Sequence, residues 1–205
     1  MGMHALDAGE SWRRQERPAS PAAWSLEALA GRFVELRGGP AAAGLSVCTR
    51  LIIEAQQAGG LVAWVGTAAS AFFPPDLAGA GVDLAAVAVV RLDDERKVWR
   101  ACDTLLRSGG FALVVVDVPR GIGLPFAAQT RLAGLAHHHR GAMLALTREA
   151  PGEGSRSSLV SLRAKTEKRR VGHDCFVCQA RIEKDKRRTP GWIHEEWRRG
   201  TDGLC

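Results

Sequence analysis

The chain has 205 residues, enough for one domain with a substantial core. Its 46% hydrophobic and 24% charged residues are ordinary globular values, and no apolar run approaches the roughly 20 residues that cross a bilayer as a helix, so the composition speaks for a soluble protein. The formal charge of +6 is uneven: residues 1–150 hold 15 basic and 14 acidic side chains and residues 151–205 hold 13 and 8, so five of the six excess charges fall in the last quarter.

Residues 1–23 mix acids and arginines without an apolar stretch of signal-peptide type, which predicts a flexible arm and a cytoplasmic protein. Five scattered cysteines then read as reduced thiols rather than a disulfide framework. A short helix is expected over 24–29 and a strand over 32–36. A helix over 46–57 follows, stopped by Gly59-Gly60. The apolar run 61–65, bounded by glycines, predicts a fully buried strand. Pro74-Pro75 predicts a loop leading to a short helical piece over 76–80, and 87–91 the next strand. Trp99, Cys102 and Leu106 at helical spacing predict a helix over 93–106, with Cys48 and Cys102 on core faces. Residues 111–116 form another buried strand, which delivers Asp117 at its C-terminal end, where open α/β sheets place ligands. A helix over 125–138 and a strand over 143–147 complete a β-α-β-α alternation, which implies a mostly parallel twisted sheet flanked by helices. The pattern changes after Ser157. Residues 159–166 and 174–183 alternate apolar and polar side chains as half-exposed antiparallel strands do, 187–191 marks a turn, and 192–197 is a last strand. Three segments result: an arm over 1–23, an α/β core over 24–150, and a basic antiparallel extension of the same domain over 151–205.

Between the first strand and its helix lies Gly38-Gly39-Pro40-Ala41-Ala42-Ala43-Gly44-Leu45-Ser46. A loop of the G-x-x-x-x-G-K-[ST] type cradles phosphate on backbone N–H groups, sets a lysine on the β/γ-phosphates and a hydroxyl on Mg²⁺. Gly39 and Gly44 stand at the right spacing and Ser46 supplies the hydroxyl, but Leu45 occupies the lysine position. The loop therefore reads as vestigial and kept as a packing turn, with backbone amides at the helix start able at most to hold an anion weakly.

Taken in order, the strand, loop, helix, buried strand, and the helix leading into Phe111-Ala-Leu-Val-Val-Val-Asp117 resemble the core of RecA-type recombinases. Cys102-Asp103-Thr104-Leu105-Leu106-Arg107-Ser108-Gly109, Gly81-Val82-Asp83-Leu84 and the late basic stretch from Arg181 to Lys186 resemble family segments in the same order. The degraded loop and the tail Lys184-Asp-Lys-Arg-Arg-Thr-Pro-Gly-Trp192 look most like the ImuA family. That resemblance implies a RecA-like accessory protein of the SOS damage response, working in translesion synthesis with ImuB, an inactive Y-family polymerase relative, and an error-prone C-family polymerase, with RecA as a further candidate partner. It also implies that Asp117 matches the acid that assists Mg²⁺. Departures from the active pattern are equally specific: Gly66-Thr67-Ala68-Ala69-Ser70 holds no carboxylate to orient a water, the connection after Asp117 is short, and Thr147-Arg148 stands where a nucleotide-sensing glutamine is expected. A non-enzyme without a cofactor is expected.

Candidate sites outside the loop are fewer. Cys175-Phe-Val-Cys178 with His173, His194 or Cys205 has zinc-ligand composition, but i and i+3 on a strand point to opposite faces, so no metal site is assigned. His137-His138-His139 ends a helix, where a cation suits the helix dipole. Arg163, Lys165, Lys168, Arg169 and Arg170, with Lys184, Lys186, Arg187 and Arg188, form two clusters on neighbouring strands. Pairing of those strands is expected to give one charged surface with weak, non-specific, salt-sensitive DNA binding. Trp192 and Trp197 are candidates for base stacking, with burial against the sheet the expected state. Two other functions stay open on the sequence: a SulA-like division inhibitor, read out by filamentous growth, and a divergent DNA-dependent ATPase that borrows a cation from a neighbour.

Overall fold

The computed structural model describes residues 24–39, 43–118, 123–148 and 158–199; the arm over 1–23 lies outside them. One eight-stranded sheet organises the described chain, in the order β3-β2-β4-β5-β1-β6-β7-β8. Its strands are β1 (Phe33–Gly38), β2 (Leu61–Thr67), β3 (Val87–Leu92), β4 (Phe111–Asp117), β5 (Ala142–Arg148), β6 (Leu162–Arg170), β7 (Cys175–Asp185) and β8 (Ile193–Arg199). All pairings from β3 through β6 are parallel, and β6-β7 and β7-β8 are antiparallel.

The helices form where periodicity and caps agree. In α4 (Glu95–Ser108) the Asp94 carboxylate accepts from the Arg96 N–H at 2.8 Å, and Gly109 closes the helix at φ 68°, a left-handed backbone that glycine adopts without steric cost. Its apolar stripe of Val98, Trp99, Cys102 and Leu106 is buried. Helix α2 (Gly44–Gln57) begins two residues before Ser46 and buries Val47, Cys48, Leu51, Ile52 and Ala55. The Pro74-Pro75 loop is corrected: both prolines lie in the first turn of α3 (Pro74–Gly79), where a missing N–H costs nothing. A four-residue α1 (Leu26–Leu29) and α5 (Phe126–His139) complete the set.

Two apolar layers sandwich the sheet. One contains Val34, Leu36, Trp64, Leu113 and Leu144 under α2 and reaches Cys178, Ala180 and Ile182 of β7. The other contains Phe33, Ala63, Val114, Met143 and Ala145 under α4 and α5. The second layer ends at β1, so on that side β6, β7 and β8 carry no described helix. The antiparallel strands follow the expected grammar with β6 starting at Leu162 rather than 159, and they continue the same sheet.

Three ion pairs join β1 and the residue before it to the last strands, two of them reaching β7 and one β6. Arg32 donates to Asp185 at 2.6 Å with both side chains buried, Arg163 to Glu35 at 2.7 Å, and Arg37 to Glu183 at 2.9 Å. Asp185 also accepts from the Arg187 N–H and, at 3.4 Å, from Trp192 Nε1. Burial pushes its carboxyl up, but the bonds from the Arg187 N–H and Arg32 outweigh that and hold it below the usual carboxylate range.

Candidate functional site

The loop between β1 and α2 opens at the C-terminal edge of the parallel strands, and residues 40–42 of it lie outside the described residues. At its end, Ala43 caps α2 with no side-chain bond and is itself buried. Leu45 packs against the core layer under α2, which is what an aliphatic side chain does at a position that cannot solvate it. A Cβ built on Gly44 would meet Thr166 Oγ1 at 3.6 Å and Leu146 Cδ2 at 3.7 Å, ordinary contact, and one on Gly39 would meet nothing within 4 Å.

The first turn of α2 is tied instead to β8. Arg198 Nη2 donates to the Ser46 carbonyl at 3.3 Å and to Glu196 Oε2 at 2.5 Å, and Glu196 Oε1 lies 2.8 Å from His194 Nε2. His194 stacks on Trp24, ring centroids 5.7 Å apart. Residues 194, 196 and 198 share one face because a strand repeats every two residues. Sequence reading missed this trio, although its spacing was there to be seen. Burial, with the Asp117 and Glu196 charges adding, pushes the nearby Cys48 thiol up.

Asp117 ends β4, 4% exposed. Its Oδ2 accepts from Ser70 Oγ at 2.8 Å and from the Ala71 N–H. Ser70 Oγ in turn accepts from Trp64 Nε1 at 3.0 Å and from the Phe72 N–H at 3.3 Å. The acid thus holds the turn after β2, as a strand-end acceptor does. Ser70 lies in the segment where a catalytic glutamate was sought, and it bridges the buried indole to the acid. Next along the sheet, Thr147 Oγ1 donates to Glu35 Oε1 at 3.3 Å.

The basic candidates do not form the single surface expected. β6 and β7 do pair, but in antiparallel register: Lys168, Arg169 and Arg170 oppose Cys178, Val177 and Phe176, while Arg163 opposes Lys184. Lys168, Arg169 and Arg170 therefore sit at the opposite end of the strands from Arg163 and the Lys184–Arg188 cluster, about 20 Å away at 3.3 Å per residue. Alternation splits the first cluster again. Lys168 lies over the Phe176 ring at 4.3 Å and Arg170 donates to the Gly172 and His173 carbonyls, both on the α2 side, whereas Arg163, Lys165 and Arg169 lie on the other face. Lys184 donates to the Ser158 carbonyl at 2.7 Å, and burial, with Lys186 and Arg163 nearby, lowers its pKa. Arg187 donates to the Ala28 and Ala30 carbonyls, and Lys186 and Arg188 are exposed at the same end.

Trp192 is half-buried against the core, as expected, but Trp197 is 65% exposed, which corrects its expected burial. The cause is alternation on the last strand: Glu196 and Arg198 take the inner face, so residue 197 must point out. Cys178 is buried and Cys175 half-buried on the opposite face of β7; Cys205 lies outside the described residues. His137, His138 and His139 occupy the last turn of α5.

A mostly parallel α/β sheet with a loop-to-helix turn after β1, an acid closing β4 and antiparallel strands at the C-terminal side defines a protein compatible with a RecA-like fold. Over 87 residues the chain is 33% identical to Protein RecA of Laribacter hongkongensis (strain HLHK9) and 37% identical to Protein RecA of Corynebacterium jeikeium (strain K411). These matches take 42% of this chain and support a RecA-like relationship. They span 24% and 23% of the two relatives, so the chain covers about a quarter of their length. No family model matches the chain. Among the described residues, no helix is long and apolar enough to cross a membrane.

Proposed function

We propose that this chain is a non-catalytic RecA-like accessory protein of the ImuA type. It acts in SOS-induced, error-prone translesion DNA synthesis, assembling a mutasome with an ImuB-like inactive Y-family polymerase and an error-prone C-family polymerase. RecA and DNA are further contacts in this reading, and the cytoplasm its setting. The observation that carries it is a retained α/β sheet whose two nucleotide positions have other employment: Leu45 is half-buried against the core and Asp117 is bonded to the turn after β2. A cation on the β/γ-phosphates and a carboxylate on Mg²⁺ supply most of the charge balance in nucleotide hydrolysis. A fold that keeps its scaffold without that lysine, and with no carboxylate in Gly66–Ser70 to orient a water, is suited to binding partners.

The test is capture of an ImuB-like protein by the tagged full chain. A complex that survives gel filtration at micromolar concentration is expected, together with no phosphate release from ATP in the presence of single-stranded DNA. No association at that concentration overturns the accessory reading, and DNA-dependent hydrolysis overturns the non-catalytic one.

A further inference from the structure

We propose that the face of β6, β7 and β8 opposite α2 is a single-stranded nucleic-acid surface with Trp197 as its stacking platform. This refines the DNA contact of the proposed function and assigns it to one face.

The register places the side chains in rows across the strands. Arg37, Lys165, Arg181 and Ile193 form one row, and Arg169, Val177 and Trp197 another, two side chains further along. Arg199 follows next to Cys175. No described helix covers this face, and Trp197 and Ile193 are 65% and 41% exposed. The acids present are already engaged: Glu35 with Arg163, Glu183 with Arg37, and Glu195 as acceptor from Gln179 Nε2. Glu167 lies 3.7 Å from Lys165. Arg169 and Arg181 are exposed and make no ion pair among the described residues.

An exposed indole in the same row as an unpaired arginine, with a second arginine about 13 Å along the strand, combines the two elements that bind single strands: a π-face for any base and cations for the backbone. An open sheet presenting an aromatic side chain is also the form in which strands receive splayed bases. A duplex hides its base faces, so Trp197 selects single strands. The charge favours this occupant over an apolar protein patch, since the exposed Arg169 and Arg181 carry no ion pair among the described residues and flank the exposed indole.

The experiment is fluorescence anisotropy of a labelled oligothymidine of about 20 nucleotides titrated with the full chain at several salt concentrations, with a duplex of the same length for comparison. Trp197→Ala is expected to weaken single-strand binding about 5- to 100-fold, and Trp197→Phe to restore most of it. The double variant Arg169→Gln/Arg181→Gln is expected to reduce the salt slope by about 1.4, near 0.7 per lost phosphate contact. Lys186→Gln/Arg188→Gln, at the other end of the strands, is expected to change affinity less than twofold. All substituted side chains are exposed, and unchanged thermal melting checks the fold. The proposal is overturned if the wild-type chain does not bind the oligonucleotide, if Trp197→Ala binds as wild type, if only the Lys186/Arg188 variant loses binding, or if polyglutamate competes equally well for wild type and Trp197→Ala. A chain that captures the ImuB-like protein but no oligonucleotide refutes this surface and leaves the accessory reading standing.

Discussion

Asp185→Ala is the most telling perturbation of the seam between the parallel and antiparallel parts of the sheet. The carboxylate is fully buried and accepts from Arg32 at 2.6 Å, whose own side chain is 4% exposed and also donates to the Ser161 carbonyl at 2.8 Å. Removing the acid leaves a buried guanidinium without its counter-charge, which costs about 3–5 kcal/mol. For a domain of 150–250 residues each kcal/mol moves the melting temperature by about 2–4 °C, so a fall of roughly 6–20 °C is expected. Urea unfolding followed by circular dichroism should give the same loss at unchanged slope. Asp185→Asn keeps an acceptor and should lose less, and Arg32→Met/Asp185→Leu should recover most of the stability, because the pair's desolvation disappears with its attraction. The pH sign is fixed by the depressed carboxyl. Its contribution is fully present above the unfolded value of about 3.9 and is lost as pH falls through the lower folded value. Wild type should therefore lose stability more steeply than Asp185→Asn below about pH 4. A loss under about 1 kcal/mol for Asp185→Ala, set against the 3–5 expected for a buried pair, would refute the view that this pair holds β7 to the base of β1.

Ser70→Ala removes the bridge between Trp64 Nε1 and Asp117 and should cost about 1–3 kcal/mol in chemical denaturation, the penalty of a buried donor left unpaired. Gly109→Ala forces a Cβ into a left-handed backbone and to 2.7 Å from His139 Nδ1; a loss of at least about 1–2 kcal/mol in the same assay is expected. Leu45→Lys restores the missing cation but not a water-orienting carboxylate, so phosphate release from ATP should stay at background in a colorimetric assay. The Cys48 thiol is raised by burial and that of Cys102 is pushed up to about 12, so both should resist an aromatic disulfide reagent at pH 8 in the native protein and react on unfolding.

The parallel half of the sheet was legible because its information is local. Runs such as Leu113-Val114-Val115-Val116 are apolar throughout, and a strand buried on both faces needs that; Asp94 and Gly109 bracket α4 with a cap and a stop. Pro74-Pro75 misled because proline signals both a loop and a first helical turn, and only the residues that follow decide between them. The basic extension was readable as strands but not as a surface. Which cations share a face depends on antiparallel register and on the shift between Arg163 and Ala164, neither of which is written within one segment. The seam pairs are harder still: Arg32 and Asp185 are 153 positions apart, and nothing near either residue names the other. Trp197 was misjudged because the general tendency of tryptophan to be buried was applied where the period of the strand decides.

The middle position of β1 has a kinetic consequence during synthesis. Its neighbours in the sheet arrive late, since Glu35 meets Thr147 across 112 positions and Arg163 across 128. At about 5–20 residues per second, a ribosome takes roughly 6–25 seconds to deliver them. Through that interval both edges of an apolar strand wait unpaired, the condition under which nascent chains recruit holdases or join one another. High contact order of this kind also slows refolding from denaturant. The late strands β5 and β6 thus set the moment at which the earliest strand becomes safe.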